Sequence, residues 1–256
     1  MEAAGLGLFM LSAVAFSVVL EHPASGLHQA LPDPRLRRLA MGLAMGGTAA
    51  ALVYSPWGRR SGAHLNPAFT LTFLRLGKIE PGDALGYVLA QFAGGLAGVA
   101  MAAALLGARA AAPSVRFAAT LPGASGLPAA FAAEAAISFL LMLAVLHFSN
   151  RPGTTRFTGL VCAALIVGYI TLEAPVSGMS MNPARSLASA LPARAIEALW
   201  IYFTAPPLGM LLAAELVLWW RGADCVLCAK VVHDPRQPCI FRCSWPAPDQ
   251  HTREAA

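Results

Sequence analysis

The sequence predicts an all-α membrane protein of six transmembrane helices plus two re-entrant half-helices, arranged as an inverted repeat. Three observations carry that prediction. First, 57% of the 256 residues are apolar and only 12% are charged, with a mean hydropathy of +0.61. That leaves too few charges to clothe a soluble globule, so the apolar surface must face lipid. Second, six apolar runs are divided three and three by a Pro-, Gly- and Ser-rich loop from Gly107 to Pro128. Third, each half carries one copy of a short stretch, Gly62-Ala63-His64-Leu65-Asn66-Pro67-Ala68 and Gly178-Met179-Ser180-Met181-Asn182-Pro183-Ala184.

The first span is read from Glu2 to Leu20, barely the roughly 20 residues a bilayer needs. Ala13-Val14-Ala15 could pass for a cleavage site, but the residues before it hold Glu2 and no Lys or Arg, which argues against a signal peptide. Pro23, Pro32 and Pro34 are expected to keep Glu21 to Arg38 a loop. The second span follows from Leu39 to Tyr54 and the third from Ala84 to Leu106, where Gly94 and Gly98 are spaced for close helix contact. The fourth runs from Ala129 to Phe148, the fifth from Phe157 to Leu172 with Cys162 in its core, and the sixth from Ile196 to Trp220. Trp200, Tyr202, Trp219 and Trp220 read as interfacial aromatics, and Glu173 and Glu215 as wet or interfacial. The repeats thus cover about 1–115 and 125–220, within one membrane domain over 1–220, and a tail over 221–256 completes the sequence.

Each duplicated stretch starts a short helix. Asn is a favoured N-cap, and Pro fits the first helical position, where its missing N–H costs nothing. Pro also pushes the preceding Asn out of the α region, as a cap requires. The half-helices are expected from Asn66 to about Leu76 and from Asn182 to about Leu191. Three spans per repeat force the halves into opposite orientations, so the half-helices enter from opposite faces and meet N-terminus to N-terminus. Non-helical backbone at that depth survives only where it lines a wet cavity or packs inside protein. A constriction is therefore expected at Asn66, Pro67, Ala68, Asn182, Pro183 and Ala184. There, two amides and two positive dipole ends would orient a solute oxygen and raise the cost of a proton or cation. Arg185, a charge at membrane depth, reads as functional by default.

From Met1 to about Trp220 the duplicated motif resembles the aquaporin, or major intrinsic protein, family. The resemblance implies a passive channel for water and/or small uncharged solutes of the glycerol kind that excludes protons and ions. It implies no enzymatic step, no cofactor for transport, and a homotetramer in the plasma (inner) membrane. It makes Arg185 the selectivity arginine, gives Glu2 and Glu134 the role of accepting hydrogen bonds from the re-entrant loops, and makes His64 a structural loop histidine. Counting back along the family pattern puts the rest of the selectivity filter at Ile170, Met179 and Gly46, or Met45 if the loop has an insertion. Strict water channels usually show an aromatic and a His where Gly46 and Ile170 stand, so this filter reads as wider and more apolar. Ser186, Ala190, Tyr202 and Phe203, however, resemble the water-type members. Water alone and water with neutral solutes both stand. The alternative is a secondary active transporter of a small neutral solute, which shares inverted repeats and broken helices but would want carboxylates lining the path.

The net charge of +5 does not signal nucleic acid, because the basic residues lie between apolar runs or in the tail without an interleaved stacking face. With the N-terminus inside, eleven Lys and Arg fall on the cytoplasmic side and six outside, which favours cytoplasmic termini; the Arg35, Arg37 and Arg38 cluster is the exception. The tail holds Cys225, Cys228, His233, Cys239 and Cys243, residue types and spacings that suit zinc. The favoured ligands are Cys228, His233, Cys239 and Cys243. Because the segment is short and Pro-broken, it is expected to bury no core, so metal would supply its folding energy.

Overall fold

The structure, a computed structural model, describes residues 1–234 and 239–245. Eight principal helices fall into two sets of four. The first set is α1 (Glu2–Glu21), α2 (Pro34–Tyr54), the half-helix α3 (Pro67–Arg75) and α4 (Pro81–Leu106). The second is α5 (Gly126–Ser149), α6 (Thr158–Leu172), the half-helix α7 (Pro183–Ala193) and α8 (Leu199–Arg221). No strand occurs among the described residues.

Five of the six long helices are long and apolar enough to cross a membrane by length and composition; α2 is not among them. It begins at Pro34 rather than Leu39, because Asp33 caps it, accepting from the Arg35 N–H at 2.8 Å, and Pro34 takes the first helical position. That draws Arg35, Arg37 and Arg38 into its first turns. Arg37 is buried there, donating to Glu21 at 3.1 Å and to the Leu31 and Pro32 carbonyls at 2.9 Å each, while Arg38 donates to the Thr171 carbonyl at 3.3 Å. Two members of the cluster are thus engaged within the protein. The expected loop over 21–38 also contains a short helix, Gly26–Ala30.

Backbones touch where the helices cross. A Cβ on Gly94 of α4 would lie 2.1 Å from the Ala3 carbonyl oxygen of α1, and one on Gly98 2.2 Å from that of Gly7. The second repeat mirrors this, with Gly209 of α8 at 2.2 Å from the Ala135 carbonyl oxygen of α5. Lipid supplies no hydrophobic drive between helices, so close approach and dispersion must hold them together.

Two expectations need correction. Tyr202 is not interfacial but 1% exposed, whereas Trp200, Trp219 and Trp220 are exposed as expected. The tail does bury a core by borrowing the membrane domain's. Val226, Ala229, Val231 and Val232 join the cluster of Val145, Leu146 and Met210.

Candidate functional site

The two duplicated stretches fold alike. Asn66 caps α3, accepting from the Ala68 N–H at 2.9 Å; Asn182 caps α7, accepting from Ala184 at 3.0 Å and Arg185 at 3.2 Å. Each Asn then reaches across to the other loop. The Asn66 amide donates to the Met181 carbonyl at 2.7 Å, and the Asn182 amide donates to the Leu65 carbonyl at 2.8 Å. An Asn amide has two N–H groups, so this crossed pair leaves one on each side chain for a third party.

The approach to each cap is strained. Gly62 and Gly178 sit at φ 89° and 85°, where glycine is at ease, but Ala63, Leu65, Met179 and Met181 also have φ between 50° and 56°. Left-handed backbone costs on the order of 1 kcal/mol at each such residue. Two buried carboxylates hold it in place. Glu2 accepts from Ser61 Oγ at 2.8 Å, the His64 N–H at 3.2 Å, the Leu65 N–H at 2.6 Å and Gln91 Nε2 at 2.8 Å. Glu134 accepts from Ser177 Oγ and the Ser180 and Met181 N–H groups, all at 2.7 Å. Two tyrosines complete the pattern: Tyr87 donates to the Ser61 carbonyl at 2.7 Å and Tyr202 to that of Ser177 at 2.5 Å.

Sequence reasoning missed Tyr87 and the role of Tyr202. A signal existed, since one offset along the chain relates Tyr87 to Tyr202 and also Gly94 to Gly209. Of the acids read as wet, Glu215 is, pairing with Arg75 at 2.8 Å. Glu173 is not: both its carboxyl oxygens are buried with no hydrogen-bond partner among the described residues.

A cavity of about 340 Å³ runs past this centre. Asn66, Asn182, His64, Met179, Ile170 and Arg185 all line it. The Arg185 Nη1 is buried without a hydrogen-bond partner, a donor left facing the site. His64 is held by Thr70 Oγ1 at 3.0 Å and by the Ala229 carbonyl at 2.9 Å. Gly46 is not in the lining; Met45 is. A Cβ on Gly46 would stand 2.8 Å from both the Ala163 carbonyl oxygen and Val167 Cγ2, so Gly46 seats α2 against α6 and opens no gap in the lumen. The short helix Pro56–Ser61 lies between α2 and the first stretch, and one residue of register there turns a helix face by about 100°. Of the two residues counted for this position, Met45 is the one in the lining. Met41, Met45, Ile166, Ile170 and Met179 make much of the cavity lining apolar, and Phe9, Phe69 and His64 supply its rings.

In the tail, Cys228, His233, Cys239 and Cys243 come together with one ligand atom from each, all within 4.8 Å of one another. Cys225 lies outside this group and is free. Cys228 and Cys239 sulfurs are 3.4 Å apart, and Cys243 Sγ is 3.3 Å from His233 Nε2. The hydrogen bond from Cys228 holds the Cys239 thiol well below its ordinary value and pushes that of Cys228 up.

Comparison with known proteins identifies a family and a shared fold. The family profile described as major intrinsic protein matches residues 2–217. A glycerol uptake facilitator protein-like 6 from Lactiplantibacillus plantarum is 35% identical over 184 residues, 69% of this chain and 82% of that protein. A probable aquaporin NIP7-1 from Arabidopsis thaliana is 34% identical over 218 residues, 85% of this chain and 74% of that protein. Among solved structures, an aquaglyceroporin from Plasmodium falciparum shares the fold with a TM-score of 0.69 at 20% identity, covering 87% of this chain and 96% of that one.

Proposed function

The chain belongs to the major intrinsic protein family of passive membrane channels, and from that premise we propose that it conducts water together with small neutral solutes of the glycerol class. The observation that carries the proposal is the crossed Asn66–Asn182 pair in one lumen with the unpartnered Arg185 donor. A passing oxygen accepts from the remaining amide N–H groups, where two half-helix dipoles of about half a positive charge each converge. Its hydrogens then point away from the centre, which breaks a proton wire, and the same field repels cations. Arg185 donates to the solute and adds positive charge, while Met45, Ile170 and Met179 supply an apolar wall against which carbon-bound hydrogen can slide. Glu2 and Glu134 fix the loops and take no part in transport.

The transporter reading lacks support. Coupling needs a carboxylate in the path, but Glu2 and Glu134 are occupied by the loops, and Glu21, which does line the cavity, pairs with Arg37 at 3.1 Å. Stopped-flow swelling of proteoliposomes with water, glycerol and urea tests the proposal. Water and glycerol should both pass without saturation or an ion gradient; a protein that passes water only would overturn the solute part.

The filter yields a sharper expectation. Met45→Ala should raise glycerol flux relative to water, by severalfold, because it empties lumen volume. Gly46→Phe should reduce the yield of folded protein instead of narrowing the pore, since its Cβ meets α6 backbone. If Gly46→Phe folds normally and selectively blocks glycerol, the assignment of Met45 to the filter is wrong.

The same reading puts both termini on the cytoplasmic side of the plasma (inner) membrane and the chain in a homotetramer. Its support is the excess of basic residues on the inner segments together with the engagement of Arg37 and Arg38 within the protein. Residues 1–220 form the channel domain, and in the tail Cys228, His233, Cys239 and Cys243 hold a structural zinc ion. Zinc–sulfur bonds of about 2.3 Å put tetrahedral ligand atoms about 3.8 Å apart, which matches separations that reach from 3.3 Å up to at most 4.8 Å.

A further inference from the structure

We propose that the zinc-bound tail is a plug seated in one mouth of the pore, so that metal occupancy sets the permeability of the channel. The inference rests on reading the 340 Å³ cavity as the pore and the four-residue cluster as a zinc site.

The plug contacts the pore-forming loop itself. Val231 lines the same cavity as Asn66 and Asn182. Its N–H donates to the Gly62 carbonyl at 3.1 Å, and the Ala229 carbonyl faces His64 Nε2 at 2.9 Å. Phe241 stacks on the His64 ring, with centroids 5.3 Å apart and planes 4° from parallel, and would collide with any Cβ on Gly62. Gly62 and His64 of the first re-entrant stretch are thus both in contact with the tail, and His64 lines the cavity just before Asn66. In the second stretch, by contrast, Gly178 packs against the backbone of Thr120 and Leu121.

The plug is also held from the sides. Asn150 Oδ1 accepts from the Leu227 and Cys228 N–H groups at 2.7 and 3.2 Å, and Thr155 Oγ1 from that of His233 at 3.1 Å. Arg59 pairs with Asp234 at 3.6 Å, and Arg242 with Glu80. These anchors are single contacts spread over several loops. The ligand cluster, two of whose members come from each segment, ties 226–234 to 239–245. It does so together with the Ser244 N–H, which donates to the Leu227 carbonyl at 2.8 Å, and the Trp245 ring, stacked on His233 at 4.5 Å.

Lys230 supplies an independent sign of the metal. It is 0% exposed, and its Nζ has no hydrogen-bond partner among the described residues. A buried ammonium alone is costly. Three thiolates and a neutral imidazole around one divalent zinc make a centre of net negative charge, next to which that ammonium is stabilised. Metal loss weakens the clamp and disrupts this charge balance together, which favours withdrawal of Val231 from the cavity.

The test uses the full chain in proteoliposomes, with zinc measured on the same preparation. As isolated, the protein should carry about one zinc per chain and show a lower water permeability than after the metal is removed. Stripping the metal with a membrane-permeant chelator, or the change Cys239→Ser, should raise permeability severalfold, and zinc added back to the stripped wild type should restore the low value. Val231→Gly leaves every ligand in place and should raise permeability with zinc still bound, a readout that does not depend on how Cys239→Ser folds. Permeability that is the same with and without bound zinc would overturn the plug while leaving channel and metal site intact. Absence of zinc from the purified protein would overturn the metal site and the plug with it. Flux no higher than in empty liposomes in every state would overturn the channel reading itself.

Discussion

Replacing Glu134 by Gln is expected to cost about 3 kcal/mol of stability and to remove most of the water permeability. The carboxylate is fully buried and only accepts: Oε1 takes Ser177 Oγ and the Ser180 N–H, and Oε2 takes the Met181 N–H. An amide of the same shape must turn its NH2 towards one of these donors. If it faces Met181, a buried N–H loses its acceptor beside a residue already at φ 56°. If it faces Ser180, the loop loses the support shared with Ser177. Either way the left-handed backbone at Met179 and Met181 is released, and the Met181 carbonyl, which accepts from Asn66, moves with it. Thermal unfolding in detergent and stopped-flow swelling read the two effects. Ser177→Ala, which removes one of the three donors, should lie between wild type and Glu134→Gln. A Glu134→Gln protein with wild-type melting and flux would show that the carboxylate does not hold the loop.

Gly98→Leu and Gly209→Leu should each prevent assembly of a folded channel. Their Cβ atoms alone would stand 2.2 Å from the carbonyl oxygens of Gly7 and Ala135, so α1 and α4, or α5 and α8, would have to separate along the contact. Water is not there to drive the helices back together, and the dispersion lost across the gap has no replacement but lipid. Gly86 of α4 is the control, because a Cβ there meets nothing within 4 Å. Gly86→Ala should be neutral or stabilise by about 0.5–1 kcal/mol through helix propensity. Size-exclusion chromatography of detergent-extracted protein separates the outcomes: a single symmetric peak for Gly86→Ala and aggregate or no protein for the two leucine variants. Normal peaks for the leucine variants would refute the close-contact account.

The sequence alone determined what depends on short-range chemistry. Asn-Pro at a helix start has one capping geometry, so both half-helices were legible to within a residue or two of their ends. The odd number of spans per repeat dictated their opposed entry, and the family resemblance pointed to Glu134 as a loop support, which its burial fits. Tertiary structure decided what depends on register and on partners distant in the chain. Whether Gly46 or Met45 faces the lumen turns on how a short helix between α2 and the first stretch absorbs one residue, and a helix face rotates about 100° for each. A tyrosine near a span end reads the same whether it faces the interface or, like Tyr202, a buried carbonyl. The tail was the largest surprise for the same reason. Its Val, Ala and Lys make no pattern of their own, and contacts with distant residues, such as His64 with Ala229 and Asn150 with Leu227, turn a polar, Pro-rich segment into part of the core.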